Sequence, residues 1–405
     1  MTPDTPTPRT TSRPRRVLFV SDTGDQLGGA EASLLSLIQQ LDQRRYELHA
    51  VLGTDGRFAT LLRGAHVRVL IAPLGTIART RNPLKLLLYA IYFVHGVLRL
   101  AWHIRRRHID IVHANKNTLA IHVIPAAWLA GAASLWHVRN QASNFGRVGA
   151  WLVRHCGHLI FVSECIARPF REAFPDAEAR ITVVHEGIDP SLYSARETGT
   201  DFRDAIGAQP GERWVGTVGR ITPWKGQDDF LRMAAQVAKH RPEARFCIVG
   251  DCVSSPAERH TDEAFRDKLH ALADELGIAD RVRFTGYRDD VPSVMNGLDV
   301  FVLPSHDEPF GIVVLEAMAT ARPIAATNAG GVPDIVRHER EALLVPVGDA
   351  EAMATAVLRL LTEPQLADSL GRAAEERVTD EFPLWRHAAR VREIYESMAP
   401  GRHKV

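Results

Sequence analysis

Glu308 and Glu316 are separated by seven residues, Pro309-Phe310-Gly311-Ile312-Val313-Val314-Leu315. Each carboxylate can accept hydrogen bonds from a hydroxylated ligand. Between them, Gly311-Ile312 reads as the start of a short apolar helix. Its free N–H groups and positive dipole end suit a phosphate. The pattern predicts a ligand with phosphate in the middle and a polyol at each end, which is the shape of a nucleotide-sugar. Earlier in the chain, Val218-Gly219-Arg220 runs into Pro223-Trp224-Lys225-Gly226. Two cations on one loop can neutralise a pyrophosphate. Near the start, Gly28-Gly29 before a helix would let backbone approach a diphosphate. Taken singly, the glycines read as a tight turn and the cations as a solvated loop. Their combination with the two glutamates favours a site.

These groups need strand ends to carry them. Val300-Phe301-Val302-Leu303-Pro304 is a continuous apolar run of the buried parallel-strand type. Glu308 therefore lies on a loop beyond a strand's C-terminal end, and Glu316 about a turn and a half into the next helix. Ligands bind at that edge of open α/β sheets. Apolar runs alternate with amphipathic helical patterns along the whole chain, predicting a doubly wound α/β protein. Strands are expected near 16–21, 47–52, 67–72, 110–114, 134–138, 159–163 and 181–185, and then near 214–219, 245–250, 282–286, 300–304, 323–327 and 343–347. The polar, Pro- and Gly-punctuated stretch between the two sets suits a linker. The expected organisation is a disordered tail (1–15), a first Rossmann-like domain (16–190), a linker (191–211), a second Rossmann-like domain (212–380) and a closing helical segment (381–405). In that last segment Trp385, Val391, Ile394 and Tyr395 form an apolar stripe expected to pack across the domain junction.

The 405 residues are 45% hydrophobic and 24% charged, a globular composition that suits two domains. A net charge of +1 gives no global signal for nucleic acid. Cys156, Cys165, Cys247 and Cys252 show neither a CxxC pair nor zinc spacing. They read as reduced thiols of a cytoplasmic protein. The Thr- and Pro-rich start lacks the apolar core of a signal peptide. No GxGxxG occurs, which counts against a dinucleotide dehydrogenase. No Asp-x-Asp occurs either, which counts against a transferase that holds its donor through a metal. Residues 84–102 approach membrane-spanning length, but Lys85, His95 and Arg99 interrupt them. A span between two strands of one sheet is topologically implausible. The alternatives are an ordinary crossover helix and a helix whose outer face, with its basic flank through 107, lies on a membrane.

Together the motifs resemble those of family 4 retaining glycosyltransferases of the GT-B fold, in which two Rossmann-like doubly wound domains face a central cleft. The resemblance covers nearly all of the chain after the tail. It is carried by Gly28-Gly29-Ala30-Glu31, Gly219-Arg220 with Lys225-Gly226, Glu308-Pro309-Phe310-Gly311 through Glu316, and Ala329-Gly330-Gly331-Val332-Pro333-Asp334. His113, His137 and Glu186-Gly187-Ile188-Asp189 fall at shorter family motifs. The resemblance implies that Arg220 and Lys225 bind the donor diphosphate and that Glu316 binds the ribose. Glu308 would contact the sugar, and the Phe310, Gly311 and Ile312 amides would hold sugar and phosphate. Tyr287 and Arg288 would lie at the base, Gly28, Gly29 and Gly219 would line the diphosphate site, and His137 would lie near the transferred sugar. Two departures, Glu186 and Arg139-Asn140, bear on the acceptor. The implied reaction is retaining transfer from a nucleotide-sugar to a lipid-linked or saccharide hydroxyl, with no metal or other cofactor. The setting would be surface polysaccharide or glycolipid synthesis at the cytoplasmic face of a membrane. A nucleotide-sugar epimerase and a catalytically silent binding protein are the alternatives.

Overall fold

The structure is a computed structural model and describes residues 13–25, 28–73, 82–141, 146–193, 199–252 and 259–398. Most of the expected tail, the middle of the expected linker, part of the loop at 140–149 and the last residues lie outside these. The first sheet has seven strands: β1 (Arg15–Ser21), β2 (Tyr46–Leu52), β3 (Arg68–Ile71), β4 (Ile111–Ala114), β5 (Ala133–Val138), β6 (His158–Phe161) and β7 (Ile181–Val183). The second has six: β8 (Arg213–Val218), β9 (Ala244–Val249), β10 (Val282–Gly286), β11 (Val300–Leu303), β12 (Ile324–Thr327) and β13 (Leu343–Val345). Each expected strand is present, with ends shifted by no more than a residue or two.

The strand orders are β3-β2-β1-β4-β5-β6-β7 and β10-β9-β8-β11-β12-β13. Every pairing is parallel. The chain reverses direction across each sheet between β1 and β4, and again between β8 and β11. Such switch points open a crevice beyond the strand ends. Burial on both faces explains the unbroken apolar runs, because successive side chains point to opposite sides. Leu18 and Val20 of β1 join one core with Val123 and Ile124, whereas Val17 and Phe19 join another with Leu34 and Leu37. The chain thus forms two Rossmann-like units.

Two segments differ from expectation. The stretch read as a linker contains the helix Thr200–Ala205. Phe202 within it is fully buried, and Arg203 pairs with Asp299 at 2.6 Å. A single aromatic anchor therefore fastens this polar stretch to the second unit. The closing helix Leu384–Ser397 returns to the first unit. There Val391, Ile394 and Tyr395 pack with residues of β1 and β2, and Arg15 donates to the Tyr395 carbonyl. Trp385 is not part of that stripe: it is 60% exposed, with the Arg386 guanidinium 5.5 Å from its ring. The stripe starts one turn later, at Ala388.

Candidate active site

Beyond β8, Gly219 and Arg220 lead into the 3-10 turn Pro223–Lys225 and then Gly226. Gly226 has φ +67°, and a Cβ there would stand 2.1 Å from the Pro304 carbonyl oxygen. Only glycine lets the loop after β8 lie against the loop after β11. That contact brings Lys225 Nζ to 2.6 Å from Glu308 Oε2. Glu308 is buried and also accepts from Ser305 Oγ at 3.1 Å. The loop after β12 completes the clamp. Gly330 has φ +56°, and a Cβ would lie 2.0 Å from the Glu308 carbonyl oxygen. The Gly331 N–H donates to that same oxygen at 2.8 Å. Arg220 Nε lies 4.0 Å from Asp262 Oδ2, and the Arg220 carbonyl accepts from Gln227 Nε2. The same loops gather Asp228, Asp229 and His306, whose ligand atoms lie within 4.8 Å of one another. His306 Nε2 is already 2.6 Å from Asp229 Oδ2.

Gly311 caps the helix Ile312–Ala319, so Glu316 lies on its second turn. The Tyr193 hydroxyl donates to Glu316 Oε1 at 3.0 Å. Burial pushes the Glu316 carboxyl up to about 7, with the Tyr193 bond pulling the other way. Burial also raises the Tyr193 phenol. The Phe310 ring is buried, stacked 5.6 Å from His185 of the first unit and 6.3 Å from Phe382. Its side chain thus serves the seam between the units, and only its backbone is available to a ligand. Tyr287 is exposed at the end of β10. Arg288 is held by both carboxylate oxygens of Asp290, at 2.8 and 2.5 Å. Its guanidinium also lies 5.3 Å from the Phe202 ring.

In the first unit, Gly28 precedes the helix Gly29–Gln39. A Cβ at Gly29 would meet nothing within 4 Å, so no contact among the described residues requires glycine there. Lys116 stands beside it, 2.8 Å from Asp22 and 2.7 Å from Glu31. His137 ends β5 but has no exposed surface. It packs between His113 and His387, with ring centroids 5.4 and 6.3 Å away. Burial first, then Arg139, holds its imidazole well below the usual range. His113 shares 2.7 Å with the Tyr395 hydroxyl, and burial pushes it down to about 3. Both rings are enclosed, and burial disfavours their charged forms.

The polar group beyond this strand end is Arg139. It donates to Asn115 Oδ1 at 3.0 Å, to Glu186 and towards His137 Nδ1 at 3.3 Å. Glu186 also accepts from Ser33, and Asn115 donates to the Ala30 carbonyl at 3.1 Å. The two departures from the family pattern are therefore partners in one buried pair. Burial raises the Glu186 carboxyl, but the Arg139 and His387 charges and the hydrogen bonds from Ser33 and Arg139 together hold it below the usual carboxylate range. Lys116, Asn115 and Tyr193 belong to the site and were not singled out from sequence. Lys116 and Asn115 could have been found as polar residues just beyond β4, a switch-point strand. Tyr193 carries no local signal, since only the fold brings it to Glu316.

Across the seam, Ser163 Oγ donates to the Pro309 carbonyl at 2.6 Å. The Glu164 N–H donates to Asp334 at 2.8 Å. Gln141 donates to Asp307 at 2.8 Å, and Arg57 pairs with Asp289 at 3.1 Å. The strand ends of both units thus share one cleft. It holds two cations and two carboxylates of the second unit opposite a glycine-opened helix start of the first. Charges of this kind suit an anion flanked by hydroxyls.

Two family models match the chain: Glycosyltransferase Family 4 over residues 27–192 and Glycosyl transferases group 1 over residues 200–377. A D-inositol 3-phosphate glycosyltransferase of Rhodococcus jostii is 30% identical over 95% of this chain and 89% of its own length. A 2-deoxystreptamine N-acetyl-D-glucosaminyltransferase of Streptomyces fradiae is 30% identical over 87% and 89%. A lipopolysaccharide core biosynthesis mannosyltransferase of Rhizobium leguminosarum is 29% identical over 61% of this chain. That match spans 66% of the mannosyltransferase, and a match to the Thermobispora bispora D-inositol 3-phosphate glycosyltransferase spans 55% of that protein. In fold, the chain resembles Anabaena HepE, solved in complex with UDP and glucose. The TM-score is 0.78 at 24% identity, over 94% of this chain and 99% of that one. WaaG, a glycosyltransferase involved in lipopolysaccharide biosynthesis, gives a TM-score of 0.70 at 16% identity over 94% and 100%.

Proposed function

This chain belongs to the group 1 glycosyltransferases, and we propose that it transfers a sugar from a nucleoside-diphosphate donor to an acceptor hydroxyl with retention and without a metal. The Lys225–Glu308 pair at 2.6 Å carries this reading, with Arg220 on the same loop as Lys225 and Glu316 eight residues beyond Glu308. Breaking the sugar–phosphate bond develops negative charge on the diphosphate and positive charge on the anomeric carbon. Arg220, Lys225 and the helix start at Ile312 are positioned to stabilise the first. Preorganised donors of this kind each contribute about 10²–10³ in rate. Glu308 exchanges its lysine for sugar hydroxyls when the diphosphate takes Lys225. Glu316 accepts from the ribose in place of Tyr193.

Retention by double displacement would need a carboxylate nucleophile at the anomeric carbon. Glu308 is the carboxylate paired with Lys225, and we assign it to the sugar hydroxyls. We assign attack by the acceptor on the face that the diphosphate leaves, with a phosphate oxygen taking the acceptor proton. The similarity to a lipopolysaccharide core biosynthesis mannosyltransferase supports a glycolipid or surface-polysaccharide acceptor, which we place at the cytoplasmic face of a membrane. The test is proton NMR of the product's anomeric centre: an α-linked donor is expected to give an α-linked product. A β-linked product would contradict retention.

A further inference from the structure

We propose that the helix Pro83–Arg106 and the two helices beside it form a docking face for an anionic lipid bilayer. The helix packs through Val97, Leu100, Ala101 and Ile104 onto a core shared with the helices Asn117–Ala130 and Gly146–His155. These three helices follow β3, β4 and β5. Right-handed crossovers place all of them on one side of the sheet. The opposite side of the first helix has no protein partner among the described residues. Leu87, Ile91, Tyr92, Leu98 and Trp102 are each 55–63% exposed there. Trp128 and Val148 continue the apolar surface on the two neighbours, 58% and 60% exposed. Arg105 ties two of the helices together by donating to the Leu129 carbonyl. An apolar surface this broad is rarely left in water.

Charge decides what covers it. The chain has 48 acidic residues, yet none lies on these three helices. Lys85, Arg99, Arg105, Arg106, Arg147 and Arg154 are all exposed. A second copy meeting this face through a two-fold axis would set these cations against their own kind, with no acid to pair them. An anionic bilayer answers both features at once: acyl chains take the leucines, headgroups take the arginines, and tryptophans sit at the boundary. The first helix connects two strands of one sheet and buries its inner face from Val97 to Ile104, which favours lying along the bilayer over crossing it. Gly146–His155 begins five residues after Gln141, which reaches Asp307 across the cleft. Docking would therefore present the cleft to membrane-bound acceptors. The inference bears on the glycolipid reading but stands on the surface alone.

The test is co-sedimentation of the full chain with phosphatidylcholine vesicles, with or without one-third phosphatidylglycerol. Binding is expected to be at least tenfold stronger to the anionic vesicles. The triple variant Leu87→Glu/Ile91→Glu/Leu98→Glu should lose at least tenfold in binding while releasing nucleoside diphosphate from donor as the parent does. Arg105→Ala and Arg106→Ala should each weaken anionic binding about fivefold. Failure of the parent to bind, or equal binding by the triple variant, would overturn the proposal. So would a dimer in solution that the triple variant abolishes. Loss of donor turnover in every protein with vesicle binding intact would sink the functional reading and leave this one standing.

Discussion

Glu316 is a carboxylate with a chemical conflict. Its folded pKa, about 7, lies above the ordinary 4.5. Between these values the unfolded chain is ionised while the folded one still holds its proton. Glu316 therefore favours folding most below pH 4.5, loses that advantage as pH rises to 7, and contributes nothing further above it. Glu316→Gln should raise Tm at pH 8 relative to the parent and leave it unchanged at pH 4, as calorimetry would read. Ribose hydroxyls need the ionised form, which accepts both hydrogen bonds. Donor affinity is thus expected to rise as pH goes from 6 to 8, and Glu316→Gln should flatten that profile. The Arg139–Glu186 pair makes a second prediction at this scale. Removing either partner alone leaves a buried charge, at a cost of about 3–5 kcal/mol. Arg139→Met/Glu186→Met together should recover most of that loss in urea unfolding. The sequence showed both residues as unusual. Their pairing was not visible there, because 47 residues separate them and only parallel strand packing joins them.

At the scale of elements, the loops after β8, β11 and β12 work as one clamp. Gly330→Ala would force a side chain to 2.0 Å from the Glu308 carbonyl oxygen at a φ of +56°. The loop must then move, and with it Glu308 and its bond to Lys225. Donor turnover is expected to fall by 10²-fold or more, in line with a misplaced catalytic group, while circular dichroism stays native-like. A variant with unchanged turnover would show that this loop does not position Glu308. The strands that carry these loops were legible because parallel strands buried on both faces read as unbroken apolar runs. The exposed side of Pro83–Arg106 was legible only as two alternatives, since apolar periodicity does not say which side a neighbour covers. His137 stood out by its place at a strand end. Its enclosure by His113 and His387 depends on the closing helix, more than 240 residues away in sequence.

Across the whole molecule, the two sheets meet through a seam of small contacts and one shared helix. Leu384–Ser397 comes from the second unit in sequence and fills the core of the first. Tyr395 fills the space beside β1 and holds His113, and Arg15 holds the helix end. Truncation before Pro383 would strip Val391, Ile394 and Tyr395 from that core. Each such loss costs about 2–5 kcal/mol, so the first unit should unfold well below the parent Tm while the second keeps its own transition. A single unchanged transition would contradict this role. In the proposed reaction, Arg220 and Lys225 in the cleft between the units face the donor's leaving diphosphate. The most direct measurement is nucleoside diphosphate release from UDP-, GDP- and ADP-sugars in EDTA, with Arg220→Ala/Lys225→Ala in parallel. Release is expected from one donor at a rate that EDTA does not lower, falling by about 10³-fold or more in the double variant. Release that needs added metal, or that survives loss of both cations, would contradict the proposed reaction.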